Sequence, residues 1–199
     1  MKPSSRLATT LASMPRDTRD TLFLLGVIAW IVLPLTGHLP PWATAICLAL
    51  LAWRGQLAWR GRPLPGRWVI GLLLTLVLGA TLLTHRTIIG RDAGVTLIVM
   101  LLGLKTLELH GRRDAMVVFF LGFFTLLSNF FFSQALPVAA AMLLALLGLL
   151  AALVNAHMPV GRPPLAQSLR MAGRMALLGA PIMAALFVLF PRMAPLWGL

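Results

Sequence analysis

Long apolar runs, separated by short stretches that carry most of the arginines, dominate this chain. They lie at 21–37, 41–58, 68–84, 93–110, 115–133, 136–157 and 173–190. A helix needs about 17–25 mostly apolar residues to cross a bilayer core of ~30 Å. Inside lipid the backbone must satisfy its own hydrogen bonds, so such segments are expected to be helical. The expected fold is all-α: a polytopic integral membrane helix bundle of about seven transmembrane helices. Residues 1–20 read as a cytoplasmic N-terminal segment, 21–190 as the transmembrane domain, and 191–199 as the truncated start of an extracytoplasmic segment.

The positive charges give the chain a direction. With the N-terminus inside, Lys2, Arg6, Arg16, Arg19, Arg54, Arg60, Arg62, Arg67, Arg112, Arg113, Arg162, Arg170 and Arg174 fall on the inner side. Only Arg86, Arg91 and Arg192 fall outside, and Lys105 sits within a span. Basic residues in short loops stay cytoplasmic, so the N-terminus is expected inside and the C-terminus outside. The first run follows a basic stretch but lacks a small-x-small cleavage site, and it reads as an uncleaved anchor.

Composition excludes the obvious alternatives. Hydrophobic residues make up 59% of the chain and mean hydropathy is +0.92, while charged residues are 11%, against ~25% in a soluble domain. A net charge of +12 would suit nucleic acid, but the arginines are scattered over separate segments and form no single face. The anionic headgroups of the inner leaflet are the expected partner. The lone Cys47 has no cysteine to pair with and lies in mid-span, where a small apolar role is expected.

Local signals fit helices. Asp17, Asp20, Asp92 and Asp114 each follow an arginine just before a run, and they are expected to cap helix starts and oppose the helix dipole. Pro40, Pro41 and Pro137 stand at first turns, whereas Pro34 and Pro181 are expected to kink their helices. Trp42, Trp59 and Trp68 mark span ends; Trp30 and Trp53 are expected to pack. Ala172, Ala176, Ala180 and Ala184 on the last run, with Ala141, Ala145, Gly148 and Ala152 on the sixth, are spaced for close helix approach. Ser128, Asn129, Ser133, Gln134 and Asn155 are expected to hydrogen-bond between helices.

The densest polar cluster is Lys105, Glu108, Arg112, Arg113 and Asp114, with His110 between. Lys105 and Glu108 are three apart and share a helix face. A cation at that depth is costly unless it is paired or snorkels. An interfacial salt-bridge knot pinning the turn between the fourth and fifth spans is favoured over a switch or an ion path. The sequence shows no catalytic set, no cofactor-binding motif and no metal-ligand spacing: no phosphate loop, nucleophile elbow or Cys-His pair stands out, and the four histidines lie at span ends.

The stretch Gly90–Gln134, GRDAGVTLIVMLLGLKTLELHGRRDAMVVFFLGFFTLLSNFFFSQ, resembles the N-terminal membrane domain of the bacterial transglutaminase-like membrane proteins, the transglutaminase protein A family. The matching elements are Leu104-Lys105-Thr106-Leu107-Glu108, the Arg112-Arg113-Asp114 turn, and the phenylalanine-rich helix ending Phe132-Ser133-Gln134. Leu189-Phe190-Pro191-Arg192 followed by Pro195-Leu196-Trp197-Gly198 is similar to that family's exit from the membrane. The resemblance implies a bacterial inner-membrane location. It also implies an extracytoplasmic transglutaminase-like domain with a Cys-His-Asp triad, and a final span, in the same polypeptide beyond Leu199. On this reading the chain is a non-catalytic membrane domain that anchors and orients that catalytic domain. The alternative, a small transporter or channel-like protein, would need a polar midplane cavity, for which only Lys105, Glu108 and Asn129 are on offer.

Overall fold

The computed structural model describes residues 16–86, 90–157 and 165–189, without the side chains of residues 16, 17, 112 and 186–188. The N-terminal residues 1–15, the loop around Arg162 and the Pro-rich exit at 190–199 lie outside the described residues, as does the side chain of Asp17.

Each apolar run falls in a helix. In chain order these are α1 (Arg16–Val32), α2 (Pro41–Arg60), α3 (Arg67–His85), α4 (Arg91–Leu107), α5 (Arg112–Ser128), α6 (Leu136–His157) and α7 (Leu165–Leu189). Short 3-10 turns extend α1 at Leu33–Gly37 and α5 at Asn129–Phe131. No strand occurs among the described residues. Four stretches are long and apolar enough to cross a membrane: Thr18–Gly37, Arg67–His85, Arg113–Phe131 and Leu136–His157. The others depart from that pattern for visible reasons. α4 has only 17 residues, α2 carries Arg54 and Gln56, and α7 carries Arg170 and Arg174 in its first half.

Helix ends follow local chemistry. α2 begins on Pro41, where a missing N–H costs nothing. It ends at Gly61, whose φ of 61° is a left-handed C-cap that a side chain would strain. The expected aspartate caps are corrected: the cap positions of α4 and α5 are Gly90 and Gly111, neither with a side-chain cap hydrogen bond. Asp92 and Asp114 sit two and three residues past these caps, in the first turn, where they still oppose the dipole. Pro34 ends the α-helical part of α1 and starts its 3-10 turn; Pro181 lies within the continuous helix α7.

Consecutive helices run antiparallel, as their end-to-end contacts show. At one end Thr18 Oγ1 on α1 donates to Ala58 O on α2, and Arg54 Nε donates to Thr106 O near the end of α4. At the other end Trp42 Nε1 donates to Thr84 Oγ1, Arg91 stacks over the Phe132 ring, 4.8 Å from its centroid, and the His38 ring stacks on Phe132 at a centroid distance of 4.7 Å. α4 packs against α2, α3 and α5; α1 packs against α2, α5 and α6; α7 packs against α6. The core runs through these contacts: Ile28, Ile31 and Leu35 from α1 and its extension, Val99, Met100, Leu102 and Leu107 from α4, and Met142 and Leu149 from α6.

The small-residue faces divide. On α6 Ala145, Gly148 and Ala152 are buried, and a Cβ on Gly148 would stand 2.8 Å from Val27 Cγ2. On α7 only Ala172 of the expected stripe is buried; Ala180 and Ala184 are exposed. Trp30 and Trp53 do not pack inside. They are 48% and 38% exposed, and Trp30 Nε1 donates to Ala141 O at 3.1 Å.

Candidate functional site

The basic end of the bundle collects the polar groups. Lys105, in the last turn of α4, places Nζ 2.5 Å from Glu108 Oε2 and 3.7 Å from Asp114 Oδ1. Glu108 ends α4, so its carboxylate is one turn from Lys105 on the same face. Asp114 enters from the first turn of α5, and its Oδ2 accepts the backbone N–H of His110 at 3.3 Å. His110 Nδ1 donates to Glu108 O at 2.9 Å, which folds the turn back on itself. These groups are roughly one-quarter to one-third exposed, at a boundary rather than in a core.

The sequence cluster is thus divided. Lys105, Glu108 and Asp114 meet, whereas Arg113 is exposed and forms no ion pair among the described residues. The side chain of Arg112 lies outside the described residues. Two aspartates pair with the arginine directly before them, Arg19–Asp20 at 3.1 Å and Arg91–Asp92 at 3.2 Å. Asp114 instead takes its cation from the preceding helix.

Beside this turn lies a cavity of about 450 Å³, within the ~300–1,000 Å³ of small-molecule sites. Asp20, Thr21 and Leu24 from α1, Arg54 from α2, Leu109 to Gly111 from the α4–α5 turn, Ala115 and Phe119 from α5, and Ala152, Asn155 and Ala156 from α6 line it. Asn155 is buried; its Nδ2 donates to Asp20 Oδ1 at 3.4 Å, and its Oδ1 accepts Ser168 Oγ at 2.5 Å, which ties α1, α6 and α7 together. This is the interhelical hydrogen bonding expected of Asn155.

Sequence reasoning missed Arg54. Counted as a loop cation, it is only 8% exposed. The signal was there: Ala43, Cys47, Leu50, Leu51 and Arg54 are buried together, at the spacing of one helical face. An arginine on the apolar face of a helix is a buried cation, however near the helix end it stands.

At the opposite end Asn129 is buried and donates Nδ2 to Ile31 O at 3.2 Å, crossing from α5 to α1. Ser128 and Thr125 bond only to carbonyls of their own helix, Phe124 O and Leu121 O. The expected cross-helix role of Ser128 therefore does not hold; a short hydroxyl reaches its own preceding turn first.

These features define an all-helical bundle, with membrane-length apolar helices, and with the Lys105 and Arg19 ion pairs and the polar cavity at one basic end. Residues 23–199 match the model of the TgpA N-terminal domain, and the chain belongs to that family. It is 36% identical over 179 residues to a protein-glutamine gamma-glutamyltransferase of Pseudomonas aeruginosa (strain PAO1). That alignment covers 89% of this chain and 27% of the relative, so the chain spans about a quarter of the length of the curated relative it matches. No solved structure matches the chain.

Proposed function

We propose that the chain is a seven-span, non-catalytic membrane domain of a bacterial inner-membrane protein, and that it anchors and orients an extracytoplasmic transglutaminase-like domain of the same polypeptide. The observation that carries this reading is the outer surface of the bundle. Leu72, Leu76 and Leu83 on α3, Phe120 on α5, Leu143 and Leu144 on α6, and Leu177 and Leu178 on α7 are all more than half exposed. A water-soluble monomer rarely exposes so continuous an apolar surface, whereas lipid covers it without cost. The relative's name, a gamma-glutamyltransferase, supports the chemistry of the domain to be held.

Direction follows from charge. Arg19, Arg54, Arg60, Arg67, Lys105, Arg113, Arg170 and Arg174 stand toward the end where α1 begins, against Arg86 and Arg91 at the other. The basic end therefore faces the cytoplasm and the anionic inner leaflet. An odd number of spans then delivers the C-terminus to the periplasm. A reporter active only outside the cytoplasm should be silent at 61–66 and active when fused after Leu199; the reverse result overturns the topology. Purified chain should show no gamma-glutamyl transfer to a glutamine-containing peptide. Turnover that is lost on Cys47→Ala would overturn the non-catalytic reading.

A further inference from the structure

Arg54 is more than nine-tenths buried, yet among the described residues no carboxylate pairs with it. Nε donates to Thr106 O at 3.0 Å, which occupies one of five donors. Among the described residues its two terminal amino groups have no hydrogen-bond partner and no carboxylate in ion-pair contact. Nor are those nitrogens sealed from solvent, since the one buried unpartnered side-chain polar atom among the described residues is Thr44 Oγ1. Arg54 is one of the residues that line the cavity.

The neighbouring carboxylates are already engaged. Asp20 is paired with Arg19 and accepts from Asn155. Asp114 is paired with Lys105 and accepts from His110. Gly111 and Ala115 of the cavity wall belong to the start of α5, where the cap residue offers no side-chain acceptor. The first N–H groups of a helix carry partial positive charge and bind anions readily. A buried guanidinium and a helix N-terminus therefore border one cavity, and both require negative charge.

We propose that this cavity binds a phosphoryl oxyanion, with Arg54 as the charged fork and the start of α5 as the second contact. Guanidinium matches phosphate in a two-pronged geometry and holds it in partly buried surroundings. The volume exceeds what inorganic phosphate fills, so the group it accepts carries an ester substituent. A lipid headgroup and a soluble phosphate ester both present that chemistry. The inference is independent of which face of the membrane the basic end meets.

The test uses the whole chain in uncharged detergent, titrated with inorganic phosphate, with dihexanoylphosphatidylglycerol and with uncharged dihexanoylglycerol. Saturable binding of the phosphoryl compounds, but not of dihexanoylglycerol, is expected. Arg54→Gln keeps a donor for Thr106 O and should weaken binding about tenfold or more, the size of one charge-assisted contact. Arg54→Lys should weaken it less. Ala156→Asp adds a carboxylate to the lining and should weaken it as much as Arg54→Gln; it decides the matter if Arg54→Gln fails to fold. Displacement of bound phosphatidylglycerol by inorganic phosphate points to a soluble ester as the natural ligand, and resistance to displacement points to lipid. Absence of saturable binding in the parent chain, equal binding of dihexanoylglycerol, or unchanged affinity in both folded variants overturns the proposal.

Discussion

Lys105 Nζ lies 3.7 Å from Asp114 Oδ1, and among the described residues this is the ion pair that joins two separate helices. The others link residues one or three apart in sequence. Lys105 therefore holds two carboxylates, Glu108 on its own helix and Asp114 on the next, and closes the turn between α4 and α5. Glu108→Gln removes the nearer partner and should lower stability by about 1 kcal/mol, because the site is part-exposed and solvent screens it. Asp114→Asn should cost a similar amount, through Lys105 and through the His110 N–H it accepts. Changing Lys105 and Glu108 together to methionine should recover much of the single loss, since no unmatched charge remains. Thermal unfolding in detergent of the parent chain, Lys105→Met, Glu108→Met and the double variant measures the cycle; strict additivity would show that the pair is not coupled.

Gly148 and Gly79 should respond oppositely to alanine. A Cβ on Gly148 meets both methyls of Val27, at 2.8 and 3.2 Å, and valine is too stiff at χ1 to swing aside. Gly148→Ala should separate α6 from α1 and destabilise the bundle by about 1–3 kcal/mol. At Gly79 on α3 nothing stands within 4 Å, so Gly79→Ala should be neutral or stabilise by up to about 1 kcal/mol through helix propensity. Melting temperatures of the two variants moving the same way would refute the α1–α6 packing.

Cys47 should be a silent thiol in the folded chain. It is fully buried where α2 crosses α4, with Sγ toward Val99 O, and a Cβ on Gly103 would lie 3.5 Å from it. A maleimide should label it only after the bundle unfolds, which makes labelling rate a probe of global opening. Rapid labelling of the native chain would show that α2 and α4 are not packed as described.

The helices were legible because a 17–25-residue apolar run has one backbone solution in lipid, and every run became a helix. Their ends were less so. The fourth run stops at Leu107, not 110, because Gly111 is extended and begins the next helix. The last helix starts at Leu165, not 173, because arginines such as Arg170 and Arg174 break an apolar window without breaking a helix. Neighbour relations were not legible at all. Hydropathy says that Leu102 and Leu83 are both apolar, but not that Leu102 is fully buried on central α4 while Leu83 is 84% exposed on peripheral α3. For the polar cluster, the i,i+3 spacing of Lys105 and Glu108 contained their contact, whereas Asp114's choice of Lys105 over Arg113 depended on how the turn folds. Arg54 was hidden by its position at a run's end, although its face could be read from Cys47, Leu50 and Leu51.

Asn129 and Pro34 should be energetically coupled although they lie on different helices. Pro34 has no N–H to give to the turn before it, and it opens the 3-10 extension of α1. Asn129 Nδ2 donates to Ile31 O in that turn at 3.2 Å and to Thr125 O on its own helix at 3.1 Å. A backbone carbonyl buried in an apolar bundle without a donor is expensive, so the side chain of α5 supplies what the proline withholds. Asn129→Leu should therefore destabilise the bundle by about 1 kcal/mol, in the range of interhelical hydrogen bonds in membranes. In a Pro34→Ala background an N–H returns to α1, and the same Asn129→Leu change should cost distinctly less. A double-mutant cycle on unfolding in detergent reads the difference directly. Equal costs in the two backgrounds would mean that Asn129 only fills space between α1 and α5.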